Sequence, residues 1–419
     1  MTRQSDATIM ALAGSRRSTQ TGTAGNTLTP AFLLAAACCR WPPSDDRDNA
    51  VRAAAAEIAH WNNFVEMTQR HRVTGLARDA LSAAGVDLPA SVALALARGK
   101  QRIVERDLIL AAETARLQRV LEDAGIPVLV LKGVPLAQLA YGTATTKQTR
   151  DIDLLVLPDH AEATLQILEE QGYALSAPAK SLSAAQRRAL LHYAREVELV
   201  LSGTKLPVEL QWRAADNPQL LKGVDANSPA QCVTLANGIR LRTLAHDDLF
   251  AYLCVHGARH SWSRLKWLAD VNALITSTPA EIDRLYRHAE RVGAGLCASQ
   301  TLLLCQQLLG LQLPAELVSE LSRNRRVRKL VAIALAAMSA PKGRTDITSV
   351  AGIVWTQFLL GQGWRFYLAQ LRAILVAPVD AIRWPLPECL YFLYPLLRLP
   401  LFLWRRAGRA FNPRGEPKP

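Results

Sequence analysis

Asp151 and Asp153 stand two residues apart at the head of a strongly apolar run, Leu154-Leu155-Val156-Leu157. Alternate side chains of a strand share a face, so both carboxylates point one way and Ile152 and Leu154 the other. Two carboxylates about 4 Å apart repel by about 4 kcal/mol at an effective dielectric of about 20. A shared proton, a basic partner such as Lys147 or Arg150, or a divalent cation must offset that cost. Glu209, in Val208-Glu209-Leu210-Gln211-Trp212, is a lone acid in a strand that otherwise reads as core. Gln211 shares its face, while Val208 and Leu210 take the other. Three acids on two neighbouring strands make an oxygen-rich metal site suited to Mg²⁺, with Mn²⁺ as a substitute. Two such ions about 4 Å apart can clamp the attacking and leaving oxygens of a phosphoryl displacement.

A phosphate site suggests itself upstream. In Leu129-Val130-Leu131-Lys132-Gly133-Val134 a strand gives way to a helix at Lys132-Gly133. Gly133 permits a tight turn, and the free N–H groups of the following helix face an anion. Lys132 adds a point charge, and Arg150, beside Asp151, is a further cation for a nucleotide. The alternative is a plain strand-to-helix turn with a surface lysine.

The elements that must position these residues follow from hydrophobic period. Residues 1–29, rich in Ser, Thr, Gly and Ala without apolar period, read as disordered. Residues 30–119 form an N-terminal helical region, with Gly85 as a stop and a helix over 106–125 closed by Gly125. Short β-rich runs at 126–133, 151–157, 196–201 and 206–212 then predict four strands. The last two flank Ser202-Gly203-Thr204-Lys205, a hairpin turn. A helix begins at Asp159 as N-cap and stops at Gly172. Residues 120–235 thus make a small α/β sheet, and 236–419 return to helical period. The fold class is α+β: a small mixed sheet flanked by helices, between two helical regions.

Composition bounds the chemistry. The 419 residues carry a formal net charge of +13, which favours anionic partners such as nucleotides, nucleic acid or an anionic surface. Seven cysteines without a Cys-x-x-Cys read as a reduced, cytoplasmic protein. The run over 31–39 ends in a lipobox-like Ala-Ala-Ala-Cys but reads as a first core helix. The run over 390–404 carries Pro395, Arg398 and Pro400 and falls short of the ~20 residues needed to span a bilayer. It reads as a buried or amphipathic helical segment, and no transmembrane segment is expected.

Other residues carry weaker signals. His256 and His260 are four apart, but Gly257 between them weakens a helix, and no Cys or acid nearby completes a zinc set. Trp262 and Trp267 read as core, and Cys254 as packing. Arg323, Arg325, Arg326, Arg328 and Lys329 form a basic cluster that reads as a solvated helix face or a nucleic-acid contact.

The order of these parts — strand, Lys-Gly, helix, Asp-x-Asp strand, helix, hairpin with Glu — resembles the DNA polymerase beta-like nucleotidyltransferase superfamily. More narrowly, "LKG" (131–133), "RDIDLLV" (150–156), "GY" (172–173) and "VELQW" (208–212) resemble a bacterial uncharacterised nucleotidyltransferase family, with similarity over about 30–400. The resemblance implies Asp151, Asp153 and Glu209 as the catalytic, metal-holding carboxylates. It implies His256, His260, Arg264, Lys266 and Asp270 as lining of the nucleotide or acceptor pocket. This sequence departs from the superfamily in having Gly133-Val134 where Gly-Gly or Gly-Ser is usual. Gln211 stands where the family often has His. The implied function is metal-dependent transfer of an NMP group from an NTP to an unidentified acceptor (small molecule, peptide, protein or RNA), with release of pyrophosphate. The alternative is a catalytically silent basic adaptor or nucleic-acid-binding protein on the same scaffold.

Overall fold

The computed structural model describes residues 28–176, 182–204, 206–236, 238–276, 278–340, 350–375, 378–394 and 396–397. Most of the stretch expected to be disordered, Lys205 of the hairpin turn and residues 398–404 of the apolar C-terminal run lie outside them.

The chain opens with helix α1 (Pro30–Cys38), capped by the Thr29 hydroxyl, which accepts the Phe32 N–H at 3.3 Å. Phe32, Leu34 and Cys38 are buried, so the lipobox-like run is a core helix. Helices α2 (Asp45–Ala56), α3 (Trp61–His71) and α4 (Thr74–Ala83) follow. Gly85, at φ +64°, closes α4 as expected. The helix expected over 106–125 is the second half of a longer one, α5 (Ala90–Asp123). Gly99 inside it gives α4 room: a Cβ there would lie 2.7 Å from Thr74 Cγ2.

The central sheet has five strands in the order β1-β2-β5-β4-β3: β1 (Leu129–Val130), β2 (Ile152–Leu155), β3 (Tyr173–Leu175), β4 (Glu196–Leu201) and β5 (Pro207–Gln211). β2 and β5 run parallel; the other neighbours are antiparallel. The α+β class is therefore as the period changes predict. The first strand is shorter than the expected 126–133. β3, beside the β4–β5 hairpin, was missed because three residues carry too little alternation to read. Helix α6 (Val134–Tyr141) follows β1, and α7 (Ala161–Glu170) follows β2. Asp159 is not the N-cap of α7. It sits in a 3₁₀ turn over Pro158–His160, and no side chain caps the helix. Pro158 at the head of that turn sets the chain helical one turn early.

Alternation divides the sheet between two cores. Ile152, Leu154, Val208 and Leu210 are buried with Leu117 and Leu121 of α5 and Leu165 and Leu168 of α7. Each such side chain contributes about 1.5–3 kcal/mol by leaving water. Leu129, Leu131 and Leu155 belong to the opposite core, with the C-terminal helices.

Helix α8 (Ala184–Tyr193) precedes β4 and opens with a capping box between Ser183 and Gln186. After β5 comes an unforeseen two-stranded sheet, β6 (Ala230–Thr234) with β7 (Arg240–Leu244). It straddles the border placed at 236. Gln118 of α5 ties it down, accepting the Arg242 N–H at 2.9 Å. The remainder is helical: α9 (His246–Arg259), α10 (Leu265–Thr276), α11 (Ile282–Arg291), α12 (Gly295–Leu309), α13 (Ala315–Arg323), α14 (Arg325–Ser339), α15 (Val350–Leu359), α16 (Trp364–Leu375) and α17 (Pro378–Arg383). Phe32, Leu34 and Phe64 share one core with Leu268, Leu302 and Leu330, so the two sequence-distant helical regions pack together. The start of the apolar C-terminal run is a 3₁₀ helix over Glu388–Leu393. Among the described residues no helix is long and apolar enough to cross a membrane.

Candidate active site

The register of β2 on β5 sets Asp153 opposite Glu209. Both side chains emerge on the face turned toward α9. Asp151, one residue before β2, joins them, and each of the three offers an oxygen within 4.8 Å of the others. Among the described residues this is the one group of three or more metal-ligating side chains.

Asp153 is fully buried. Its Oδ1 accepts from Lys132 Nζ at 2.8 Å and from Gln211 Nε2 at 3.2 Å, while its Oδ2 is buried without a partner. Lys132 also reaches Glu209 Oε2 at 3.7 Å. The basic partner of the carboxylates is therefore Lys132, not Lys147 or Arg150. Burial pushes the Asp153 carboxyl well above the usual range; Lys132 opposes this, and Asp151 and Glu209 add to it. Burial acts the same way on Asp151, but Lys132, Lys266, Lys147 and Arg72 together outweigh it and hold that carboxyl low. Despite burial, the carboxylates raise the Lys132 ammonium well above its ordinary value. The site thus sets a carboxylate that its cationic neighbours favour in the charged form beside one whose charge burial and its acidic neighbours make costly.

A cavity of about 160 Å³ opens beside the acids. Asp151, Glu209, Lys132 and Gly133 line it, as do His256, His260, Lys266 and Asp270. Arg150, Arg264 and the fully buried Asp153 do not. Arg150 is exposed, and its carbonyl accepts from the Arg106 guanidinium at 2.8 Å. Arg264 instead donates to the Arg70 carbonyl. Arg72, Lys147, Thr149 and Trp267 line the cavity without having been singled out for it. One signal was available: Lys147, Thr149, Asp151 and Asp153 are every second residue. Arg72 carries no such mark.

The walls are held from several elements. Gly133 adopts φ +73°, and a Cβ there would lie 3.1 Å from Thr149 Cγ2, so the turn needs glycine. Asp107 of α5 accepts the Thr149 N–H at 3.0 Å and so fixes the segment leading into Asp151. Burial pushes the Asp107 carboxyl up to about 7. Lys147 pairs with Asp270 at 3.0 Å, and Tyr141 donates to the same carboxylate at 3.0 Å. Gln211, given no role from sequence, links Asp153 to the buried Arg195, from which its Oε1 accepts at 3.1 Å. Its position is thereby set from both ends.

His256 and His260 come together at the end of α9, their ring centroids 4.9 Å apart. No third metal-ligating side chain joins them among the described residues. Trp267 packs edge-on to His256 and stacks on His260, at 5.5 and 5.1 Å. Burial and nearby cations lower both imidazoles and keep them neutral. Gly257 does not break α9: a Cβ there would lie 2.3 Å from the Trp262 ring, so glycine makes room for a buried tryptophan. The basic cluster on α13–α14 is partly engaged at home. Arg326 donates to the Gly361 carbonyl at 2.9 Å, and Lys329 lies 5.2 Å from the Trp355 ring centroid.

The model of a family described as "uncharacterised nucleotidyltransferase" matches residues 57–310, and the chain belongs to that family. The match is narrower than the motif resemblance over about 30–400, but it contains every residue that lines the cavity. A comparison with curated proteins returned no match.

Proposed function

We propose that this member of the nucleotidyltransferase family moves a nucleoside monophosphate from an NTP to an acceptor nucleophile and releases pyrophosphate. The observation that carries the reading is Asp153 Oδ2, buried and unpartnered within a group of three carboxylates. A buried orphaned acceptor is costly, and Lys132 answers only the other oxygen. An all-oxygen donor set of this kind fits Mg²⁺ or Mn²⁺ rather than a softer ion. When bound, such an ion neutralises the carboxylates and polarises the phosphate under attack.

Asp151, Asp153 and Glu209 would hold it, with Lys132 and Gln211 orienting Asp153. Glu209, whose side chain is 27% exposed against 0% for Asp153, is the acid placed to take the acceptor's proton. The acceptor oxygen bonds to the α-phosphorus, and the bond from that phosphorus to the bridging oxygen breaks. Pyrophosphate leaves with the electron pair. His256, His260 and Trp267 offer a neutral aromatic wall beside the reacting groups. Most of the acceleration in such a site comes from positioning and fixed charge.

The test is transfer of label from an α-labelled NTP, first with each of the four nucleotides and then into a cell lysate. Sensitivity of the labelled product to protease or nuclease identifies the acceptor class. Absence of Mg²⁺- or Mn²⁺-dependent transfer with every nucleotide sinks the reading.

A further inference from the structure

The four cations on the cavity wall are unequally engaged. Lys132 is shared by Asp153 and Glu209, and Lys147 pairs with Asp270. Lys266 is buried, and among the described residues its Nζ donates only to the Gln148 carbonyl, at 3.1 Å. The half-buried Arg72 guanidinium makes no hydrogen bond or ion pair among the described residues. The carboxylate whose charge acts on both is Asp151, and Asp270, already paired with Lys147, acts on Lys266 as well. Once Asp151 helps to hold a cation, that charge is spent. Arg72 then stands as surplus positive charge on a partly desolvated wall, a state that is costly without a counter-anion, and Lys266 beside it lacks an anion to hold its proton.

The two are also locked in place. His71 Nδ1 accepts the Leu265 N–H at 3.0 Å, joining the residue before Arg72 to the residue before Lys266 across 194 positions of sequence. Arg72 itself sits in the left-handed region at φ +57°, ending α3. Long flexible cations are here presented from a rigid junction. A guanidinium can bind two phosphate oxygens at once, and an ammonium adds a point charge.

We propose that Arg72, Lys147 and Lys266 form an anion subsite that takes the polyphosphate tail of the donor nucleotide, leaving Lys132 to serve the carboxylates. The subsite rests on the transferase reading for its biological ligand, but its chemistry is testable without turnover. The ligand it selects carries two or more linked phosphate groups, so a nucleoside monophosphate or an uncharged acceptor would not satisfy it. Burial and the neighbouring Lys147 lower the Lys266 ammonium to about 7 in the absence of such an anion. A polyphosphate would restore its charge.

Inorganic tripolyphosphate, titrated by calorimetry into the full chain in the presence of Mg²⁺, is the probe. The wild type should bind it, and Arg72→Gln should weaken binding about tenfold or more. Arg72→Lys should fall between, and Lys266→Gln should also weaken binding. Arg72 is only half buried, so its variants keep the test valid even where Lys266→Gln lowers the melting temperature. Binding by Arg72→Gln and Lys266→Gln as tight as wild type overturns the subsite, as does failure of the wild type to bind. Label transfer by the same preparations separates the two readings. A wild type that transfers label while these variants bind tripolyphosphate normally loses the subsite and keeps the transferase. A wild type that does neither loses both.

Discussion

Asp153 and Glu209 face each other across the parallel pairing of β2 with β5, and Lys132 reaches both, at 2.8 and 3.7 Å. The backbone register alone brings the two acids together. A slip of one residue would turn Glu209 onto the opposite, apolar face and dismantle the site. Lys132 is the counter-charge that lets the folded chain tolerate this arrangement before any other cation arrives.

Asp153→Asn should abolish Mg²⁺-dependent label transfer, by about a thousandfold or more, and leave the chain folded, at a lower melting temperature because Lys132 loses a buried counter-charge. The amide keeps an acceptor for Lys132 and Gln211 but cannot carry the charge. Transfer at the wild-type rate by the folded variant would remove Asp153 from the machinery.

Lys132→Met leaves the buried acids without their ammonium. In metal-free buffer at neutral pH the variant should lose about 3–5 kcal/mol of folding stability, the usual cost of stripping one partner from a buried pair. Added Mg²⁺ should recover much of it, and should stabilise the variant more than the wild type, whose lysine competes for Asp153. Urea denaturation with and without Mg²⁺ measures both effects. Equal stability in metal-free buffer would show that Lys132 does not carry the acids.

Asp107 has a folded-state value of about 7 against 3.8 when unfolded. A raised carboxyl contributes stability that is fully present below the unfolded value and lost as pH rises through the folded one. Asp107→Asn keeps the acceptor for the Thr149 N–H and removes the titration. Its stability advantage over wild type should therefore grow from near zero at about pH 4 to about 2–4 kcal/mol at about pH 8. A difference that is flat between those pH values counts against a neutral buried Asp107.

Gly257→Ala places a methyl group 2.3 Å from the Trp262 ring. The ring is fully buried and cannot swing aside, so a cost of about 2–4 kcal/mol is expected. Because Gly257 lies between His256 and His260, the aromatic wall should shift as well. A melting temperature unchanged from wild type would mean that the end of α9 repacks freely.

The carboxylate group was legible because a strand has an exact period of two and a single apolar face. Asp151, Asp153 and Glu209 interrupt that pattern on one side only. The Gly85, Gly125 and Gly172 stops were legible for a related reason, since each takes a positive φ at a helix end. The cations resist such reading. Arg72 acts from the left-handed residue after a helix, and Lys266 from a helix start far along the chain. No local period links them. Lys132 was legible as a charge near the turn, but proximity along the chain could not tell that it would turn to Asp153. Gly257 reads as a helix breaker because propensity is local, whereas the ring that requires it is brought back by the turn after α9.

Synthesis runs from the N-terminus, so a growing chain carries Asp151, Asp153 and Glu209 well before Leu265 and Lys266 leave the ribosome. The His71–Leu265 bond closes a loop of 194 positions. Closing it costs chain entropy that only the late packing of α9 and α10 repays. Lys132, by contrast, is made before all three acids and is nearer to each of them in sequence than Lys266 is to Arg72. Arg72 and Lys147 are made before the acids as well, so Lys266 is the one cation of the cavity wall that must wait for the helices that follow. The cavity wall is in this way completed by a residue from the second half of the chain, and the anion subsite proposed above would be completed with it.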